Sequence, residues 1–301
     1  MKSKGTMKGA SHRCWNMLLL LAGLLAASAA AADAVSARAA LVANLERLHY
    51  DAAPEAAAAV DDRTLVDGLY RLEDPATGQL IALYTASADV IGDGTGWKWI
   101  DDSGLKPFSP EEVGRLRAEA MRSIEWKRLV EVRYGDGGGR RILLISAVNC
   151  PVCARMEKTL AQHAASIDTT FYLLPISLSP SAAEGYGEAT WRQASAIWCA
   201  ADGAAAWRQF WLTHQAPAAA AGCTRDAMTT FKTSRNFATV LASIGAPLRG
   251  TPGIVREDGT ALAFPAEPDA AWFSEVLGAK ALQAFKSPQG DTAPRQWLAA
   301  H

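Results

Sequence analysis

Two cysteines separated by two residues are the feature of this sequence most clearly suited to chemistry. Cys150-Pro151-Val152-Cys153 follows an apolar run from Ile142 to Val148, which is short and rich in branched residues and therefore predicts a buried strand. The residues after Cys153 predict a helix. A thiol at the start of a helix faces unpaired backbone N–H groups and the positive end of the helix dipole, which favour the thiolate and lower the thiol pKa. The pair is therefore placed for redox chemistry.

Three interpretations of this dithiol remain open from the residues alone. Half of a zinc site would need two further Cys or His ligands at matching spacing. The histidines beyond the N-terminal segment are scattered singly: His49, His163, His214 and His301. A purely structural disulfide would close a very tight loop, which gains little entropy in the unfolded state. In the redox interpretation, Cys150 is the exposed nucleophile and Cys153 is the resolving thiol.

A second pair of cysteines, Cys199 and Cys223, lies further along the chain. With Cys14 ahead of them in the N-terminal segment, four cysteines remain, and four allow three connectivities. The spacing suggests one short pair and one distant pair. Oxidation of the distant pair would contribute about 3.5 kcal/mol by the chain-entropy argument. A structural bridge and a second redox pair are both possible, but no feature of the sequence lowers a thiol pKa at this pair.

Composition and charge limit the class of protein. The chain has 301 residues, half of them apolar, and a formal net charge of −1. It has room for one large or two ordinary domains and ample material for a core, which excludes disorder of the whole chain. Neither sign of charge accumulates in long blocks, so there is no electrostatic reason to expect nucleic acid or an anionic membrane as a partner.

The N-terminus has the organisation of a secretory signal peptide. Basic residues come first, then an apolar stretch from Trp15 to Ala27, then small residues that offer cleavage after Ala32 or Ala34. The apolar stretch is short for a membrane span. We therefore expect residues 1–34 to be removed on export, and the alternative is an uncleaved membrane anchor. Cys14 precedes the apolar stretch and leaves with the signal peptide.

The chain up to the dithiol predicts a small unit followed by a connector. Residues 35–59 predict a helix and an alanine-rich linker, and residues 60–106 predict a small β-rich unit built from hairpins. Ser109-Pro110-Glu111-Glu112 is a helix start, with Ser109 as N-cap and Glu112 closing a capping box. Few apolar residues follow, so residues 107–125 are expected to form an exposed connector helix.

Residues 126–280 predict an α/β domain with a mixed sheet. A strand at Leu129 to Tyr134 is expected to form a hairpin with the strand that precedes the dithiol, and a further strand follows at residues 170–176. Residues 188–244 have an almost wholly helical pattern, which gives a helical insert at about 180–245. Thr251-Pro252 then leads into another strand, and a helix is expected around Asp269 to Leu277. Residues 281–301 are a polar, proline-containing tail.

A set of motifs in this order resembles a known family. The motifs are Cys150-Pro151-Val152-Cys153, Ala196-Ile197-Trp198-Cys199-Ala200, Cys223 and Gly250-Thr251-Pro252. They resemble the bacterial periplasmic disulfide isomerases of the DsbC/DsbG type, closely over residues 126–278 and more weakly over residues 60–125. The resemblance implies a thioredoxin-like catalytic domain with a helical insert, preceded by a small α+β (cystatin-like) dimerisation domain and a linker helix.

The resemblance also implies roles for particular residues and partners. Thr251-Pro252 would have a cis peptide bond, lie beside Cys150 and dock the substrate chain, while Cys199 and Cys223 would form a structural disulfide. Two chains would dimerise through the N-terminal unit in the periplasm. Misfolded or disulfide-containing exported proteins would be the substrates, and a membrane thiol reductase the electron donor. No cofactor and no metal are expected.

The function predicted from these features is that of an exported thiol-disulfide oxidoreductase, an isomerase or reductase of protein disulfides. Pro151-Val152 differs from the dipeptides usual in the family, and this dipeptide tunes the nucleophile's pKa and the reduction potential. One alternative is a monomeric disulfide oxidant or a reductase dedicated to a secretion or conjugation assembly. An alternative of another class is a periplasmic chaperone or metal-binding module.

Overall fold

The computed structural model describes residues 34–135, 140–164, 167–183, 185–246, 248, 250–265 and 272. Three predicted segments lie outside the described residues: the signal peptide apart from Ala34, the helix around Asp269 to Leu277 apart from Trp272, and the tail at 281–301. None of the described helices is long and apolar enough to cross a membrane.

The N-terminal half is a six-stranded antiparallel sheet in which every strand pairs with the next along the chain. Its strands are β1 (Ala59–Asp61), β2 (Leu69–Glu73), β3 (Leu80–Thr85), β4 (Val90–Asp93), β5 (Gly96–Asp101) and β6 (Gly104–Pro107). Helix α1 (residues 34–47) and the short α2 (Ala53–Ala57) precede it. The tight turns at Gly78 and Gly96 have positive φ angles, which glycine adopts without strain.

Helix α1 packs onto this sheet. Ala37, Leu41 and Leu45 recur at helical spacing and are buried against sheet residues such as Leu72 and Tyr84. A small sheet is not stable alone in water unless one face packs against another element. The segment predicted as a lead and linker at 35–59 therefore supplies part of the core of the β-rich unit.

Helix α3 (Pro110–Arg122) begins as the sequence predicts. The Ser109 side chain accepts a hydrogen bond from the Glu112 backbone N–H, and the Glu112 carboxylate accepts one from the Ser109 backbone N–H. The prediction of an exposed connector is wrong, because Leu116, Ala120 and Met121 form one fully buried face. Three apolar residues on a single helix face are enough to place that face in a core.

The second sheet has the strand order β11-β10-β8-β9-β7. Its strands are β7 (Val130–Tyr134), β8 (Arg140–Ala147), β9 (Thr169–Ile176), β10 (Gly253–Arg256) and β11 (Ala261–Leu262). Strands β8 and β9 are parallel, whereas β7 pairs antiparallel to β9, and β10 pairs antiparallel to β8 and to β11. The predicted hairpin of β7 with β8 is therefore wrong. Strand β8 is buried along most of its length and takes a central position, where β9 separates it from the edge strand β7.

Helices cover the second sheet. They are α4 (Pro151–Gln162), α5 (Tyr186–Trp198), α6 (Gly203–Thr213) and α7 (Ala227–Ser243). The nearly continuous helix predicted over 188–244 is interrupted, because residues 214–226 are irregular. Pro217 and Gly222, whose φ is +85°, explain the break, since both residue types disfavour the interior of a helix.

Candidate functional site

The dithiol lies where β8 passes into α4. Cys150 is the N-cap of α4, with Pro151 at its first position, where a missing N–H costs nothing. The preceding loop is held by two hydrogen bonds: the Val148 N–H donates to Ile176 O at 2.9 Å, and the Leu178 N–H donates to the Asn149 side chain at 2.9 Å. The central sheet thus fixes the position of the first thiol.

Cys150 has hydrogen-bonding groups on two sides. Its Sγ accepts a hydrogen bond from the Cys153 N–H and, as a thiol, donates one to the Thr251 backbone carbonyl, both at 3.4 Å. Cys150 is only 5% exposed, so the prediction of an exposed nucleophile is wrong: the residue packs into a small apolar cluster with Ala147 and Cys153. Burial alone would raise the pKa of Cys150. Hydrogen bonds from the Thr251 side chain, the Cys153 thiol and the Cys153 and Val152 N–H groups outweigh burial, and the pKa is lowered.

Cys153 has the opposite character. It is fully buried one turn into α4, and its Sγ accepts a hydrogen bond from the Ala147 N–H at 3.4 Å. Burial and the neighbouring Cys150 thiol raise the pKa of Cys153, although the Ala147 N–H and Ser146 act against them. Both thiols are free. The arrangement provides one thiolate-forming cysteine beside a second cysteine that holds its proton.

The segment Gly250-Thr251-Pro252 lies against Cys150, as its place in the sequence resemblance implies. The Thr251–Pro252 peptide bond is cis. Gly250 has a φ of +144°, a conformation that favours glycine. Strand β10 starts immediately afterwards and pairs with β8, so Gly253 lies opposite Ile145. Pairing of these two strands brings residues about one hundred positions apart into one site.

A shallow cavity of about 390 Å³ adjoins this segment. Val152 and Pro252 lie in its wall together with residues of β10, β11 and the following turn, among them Ile254, Leu262 and Phe264. Val152 also packs against the dithiol, whereas Pro151 is exposed. The dipeptide between the cysteines thus presents one residue to solvent and one to the cavity.

The second cysteine pair forms a disulfide in the helical insert. Cys199 caps the C-terminus of α5 and joins Cys223, which lies in the irregular segment ahead of α7. The Cys199 carbonyl accepts a hydrogen bond from the Ala220 N–H at 3.0 Å. Neither cysteine belongs to the apolar cluster around the dithiol. The bridge ties the irregular segment to α5.

Sequence reasoning missed two residues near the dithiol. Trp211, on α6, packs against the cluster that contains Cys150 and Cys153. Glu157 is buried on α4, one turn beyond Cys153, and burial raises its pKa to about 8, partly offset by a hydrogen bond from Trp207 and by Arg208. A signal for Glu157 was present, because Cys153, Glu157 and Leu160 have the i, i+4, i+7 spacing of one buried helix face.

Among the described residues, no group of three or more His, Cys, Asp or Glu side chains is placed to hold a metal ion. His163 caps the end of α4, while His214 ends α6 in the left-handed conformation and packs against Phe210 and Trp211.

Residues 131–280 match the family model described as a thioredoxin-like domain. Comparison with curated protein sequences gave no significant match. Three solved structures are similar to parts of the chain. A disulfide interchange protein from Neisseria gonorrhoeae is 22% identical over 50% of this chain and 94% of that one, with a TM-score of 0.36. A linker-deletion mutant of Proteus mirabilis ScsC is 20% identical over 52% of this chain and 79% of that one, with a TM-score of 0.32. Helicobacter pylori DsbG is 12% identical over 66% of this chain and 91% of that one, also with a TM-score of 0.32.

Proposed function

Because residues 131–280 form a domain of the thioredoxin-like family, we propose that the protein is an exported thiol-disulfide oxidoreductase that isomerises or reduces disulfide bonds of other proteins. The observation that carries the proposal is the placement of Cys150. Its thiol caps a helix, has a lowered pKa, and lies 3.4 Å from the backbone carbonyl of Thr251. A thiolate so placed is a nucleophile for a disulfide brought alongside that backbone.

The first step is thiolate attack. The Cys150 Sγ attacks one sulfur of a substrate disulfide, a new S–S bond forms between them, and the second substrate sulfur leaves as a thiolate. In isomerisation, another substrate thiolate attacks the substrate sulfur of the mixed disulfide, which forms a new S–S bond within the substrate and releases Cys150 as a thiolate. No net oxidation or reduction occurs in this route.

In this proposal the second thiol, Cys153, resolves the mixed disulfide when rearrangement of the substrate stalls. Cys153 loses its proton and attacks the Cys150 Sγ, which forms the Cys150–Cys153 disulfide and releases the substrate sulfur as a thiolate. The substrate then gains two electrons and the enzyme loses two. Burial of Cys153 keeps it protonated in the resting state, which delays this step until the mixed disulfide has formed.

Thr251-Pro252 is proposed to dock the substrate chain. An extended substrate can pair its backbone with a chain segment that has free polar groups, and the apolar cavity formed by Val152, Pro252 and β10 can take a neighbouring side chain. We therefore expect substrates with an apolar residue close to the reactive cysteine. Pro151-Val152 is proposed to set the reduction potential.

The proposed location is the periplasm, reached through the N-terminal signal peptide. The electron donor in this proposal is a membrane thiol reductase, and the substrates are misfolded or disulfide-containing exported proteins. The homodimer implied by the family resemblance, formed through the N-terminal unit, remains a prediction.

A monomeric oxidoreductase is the second candidate, and the packing of the N-terminal sheet favours it. Helix α1 covers one part of this sheet, and Trp97 packs into the core that also contains α3 and α7. The edge strands are poor docking surfaces, because β1 has three residues and β6 carries Lys106 and Pro107. Sedimentation equilibrium separates the two candidates by giving the mass in solution.

Replacement of the nucleophile tests the proposal. The variant C150A is expected to lose reduction of insulin and refolding of scrambled ribonuclease, while the wild type performs both. Unchanged activity in C150A would contradict the proposal. Retained holdase activity in C150A/C153A without any exchange activity in the wild type would instead favour the chaperone alternative, and the reduction potential would separate isomerase, reductase and oxidant.

A further inference from the structure

A second cavity of about 880 Å³ lies between α4, α6 and the end of β7. Its size is within the range of small-molecule sites in proteins. Apolar and aromatic side chains form much of its wall: Tyr134, Ala154, Ala161, Trp211 and Leu212. Leu212 is 80% exposed, so the apolar surface continues to the mouth of the cavity. We call this cavity the α4–α6 groove.

Two residues that line the α4–α6 groove each have a buried polar atom with no hydrogen-bond partner in the described part of the chain. These atoms are Glu157 Oε1 and Trp211 Nε1. Glu157 is only 7% exposed. Buried donors and acceptors are nearly always paired, and an unpaired one costs about 1–3 kcal/mol. A ligand that supplied partners to both atoms would recover that free energy on binding.

The charges around the groove indicate the sign of that ligand. Arg133, Lys158 and Arg208 line it, and Glu157 is the one acidic residue in the lining. Arg133 pairs with Glu131, and Arg208 lies over the Tyr134 ring at 5.6 Å. Lys158 is exposed and has no ion-pair partner within the described part of the chain. These cations favour an anionic ligand over a neutral or cationic one.

The protonation state of Glu157 also favours an anionic ligand. Burial raises the pKa of this carboxyl to about 8, so at neutral pH it carries a proton and can donate a hydrogen bond. The Trp211 indole can only donate. Two hydrogen-bond donors on residues that line one cavity, with a lysine ammonium in the same lining, suit a group that accepts hydrogen bonds and carries negative charge.

We propose that the α4–α6 groove binds an amphiphilic anion, with an apolar ring or acyl body and a carboxylate or sulfonate head that accepts hydrogen bonds from Trp211 and Glu157 beside Lys158. This site is separate from the cavity at Thr251-Pro252, and the proposal does not rest on the redox function. Trp211 links the two regions, because it also packs against the dithiol cluster.

Calorimetric titration of the purified protein with decanoate tests the proposal, with decanamide as the neutral ligand of equal length. We expect saturable binding of one decanoate per chain, at least about fivefold tighter than decanamide. Anilinonaphthalene sulfonate should bind the same site and be displaced by decanoate. Absence of saturable decanoate binding, or equal affinity for the amide, would overturn the proposal.

Variants locate the site. W211F removes one donor and should weaken decanoate binding about fivefold, the effect of roughly 1 kcal/mol from one hydrogen bond. K158Q should also weaken it, whereas K127Q, which removes an exposed lysine outside the groove, should not. A161F fills the groove from an exposed position on α4 and should abolish binding even if W211F fails to fold. Undiminished binding in A161F and K158Q would overturn the proposal.

Discussion

At the scale of single residues, the two thiols of the dithiol differ because their surroundings differ. Hydrogen bonds from backbone N–H groups at the helix start, together with the Thr251 side chain and the Cys153 thiol, outweigh the burial of Cys150 and lower its pKa. Cys153 lies deeper, where burial dominates. Cys150 is therefore the thiol that loses its proton more readily, while burial keeps the proton on Cys153.

The Thr251 hydroxyl contributes to this difference. The nearly isosteric variant T251V removes a hydrogen bond to the Cys150 sulfur, so the pKa of Cys150 should rise. Alkylation by iodoacetamide at pH 6.5 is then expected to slow by about threefold, since one such bond is worth about 0.5–1.5 kcal/mol. T239V, on the exposed side of α7, is the control and should alkylate like the wild type. An unchanged pH profile in T251V would show that the hydroxyl has no part in the pKa.

Glu157 makes stability depend on pH. Its pKa is raised to about 8 in the folded protein, above the value of about 4.3 in an unfolded chain. Between these values the unfolded state binds fewer protons, so this group lowers the free energy of unfolding as pH rises from about 4 to 8.

The variant E157Q removes that titration. In urea denaturation we expect E157Q to be more stable than the wild type at pH 8, by roughly 1–3 kcal/mol after allowance for relaxation of the site. The two proteins should have similar stability at pH 4, where both side chains are neutral. A stability difference that does not change with pH would contradict the assignment.

At the scale of elements, the sequence predicted individual helices and strands better than it predicted which strands pair. The strand before Cys150, the helix after it and the capping box at Ser109 are all present as predicted. Each depends on residues close together in the chain. The partner of β7 depends instead on which strand is most buried, and the glycine-rich segment after Tyr134 wrongly favoured a hairpin with β8.

In the candidate site too, local sequence predicted some features, while others depend on how distant segments pack. The positions of Cys150 and Cys153 follow from a motif and its flanking pattern. The family resemblance alone suggested the contact of Thr251 with Cys150, because that contact depends on the pairing of β10 with β8. The spacing of Cys153, Glu157 and Leu160 places Glu157 on the buried face of α4, but its position near Arg208 depends on how α6 packs on α4, which no local pattern contains.

The Cys199–Cys223 disulfide gives a prediction for the helical insert. It spans 24 residues, so the double variant C199A/C223A should lose about 3–4 kcal/mol of stability in urea denaturation by the chain-entropy argument. Insulin reduction below the unfolding transition should persist, because neither cysteine touches the dithiol cluster. Loss of reduction in a variant that remains folded would indicate that this pair takes part in exchange.

At the scale of the whole molecule, the N-terminal sheet and the thioredoxin-like domain share one core. The Trp97 Nε1 donates to Ser243 O at 2.9 Å, and the Arg117 Nε donates to Ile244 O at 2.8 Å. Leu116 and Met121 of α3 are fully buried in the same cluster. The sequence pattern predicted an exposed connector helix between two units. It could not show the burial of α3, because that burial depends on surfaces from both halves.

A shared core predicts cooperative unfolding. L116A should lower stability by about 2–5 kcal/mol, the usual cost of truncating a buried leucine, and both halves should lose structure in one transition. Tryptophan fluorescence and far-ultraviolet circular dichroism, followed together in urea, measure this. K127Q, which changes an exposed side chain, is the control and should unfold like the wild type. Two separate transitions in the wild type would show that the halves unfold independently.

The central claim is that Cys150 attacks the substrate disulfide and Cys153 resolves the intermediate. Its most direct test is to incubate C153A with a disulfide-containing protein substrate, quench with acid and identify the trapped mixed disulfide by peptide mass spectrometry. The account predicts a substrate adduct on Cys150 in C153A and no adduct on Cys153 in C150A. An adduct on Cys153 in C150A, or none on Cys150 in C153A, would contradict it.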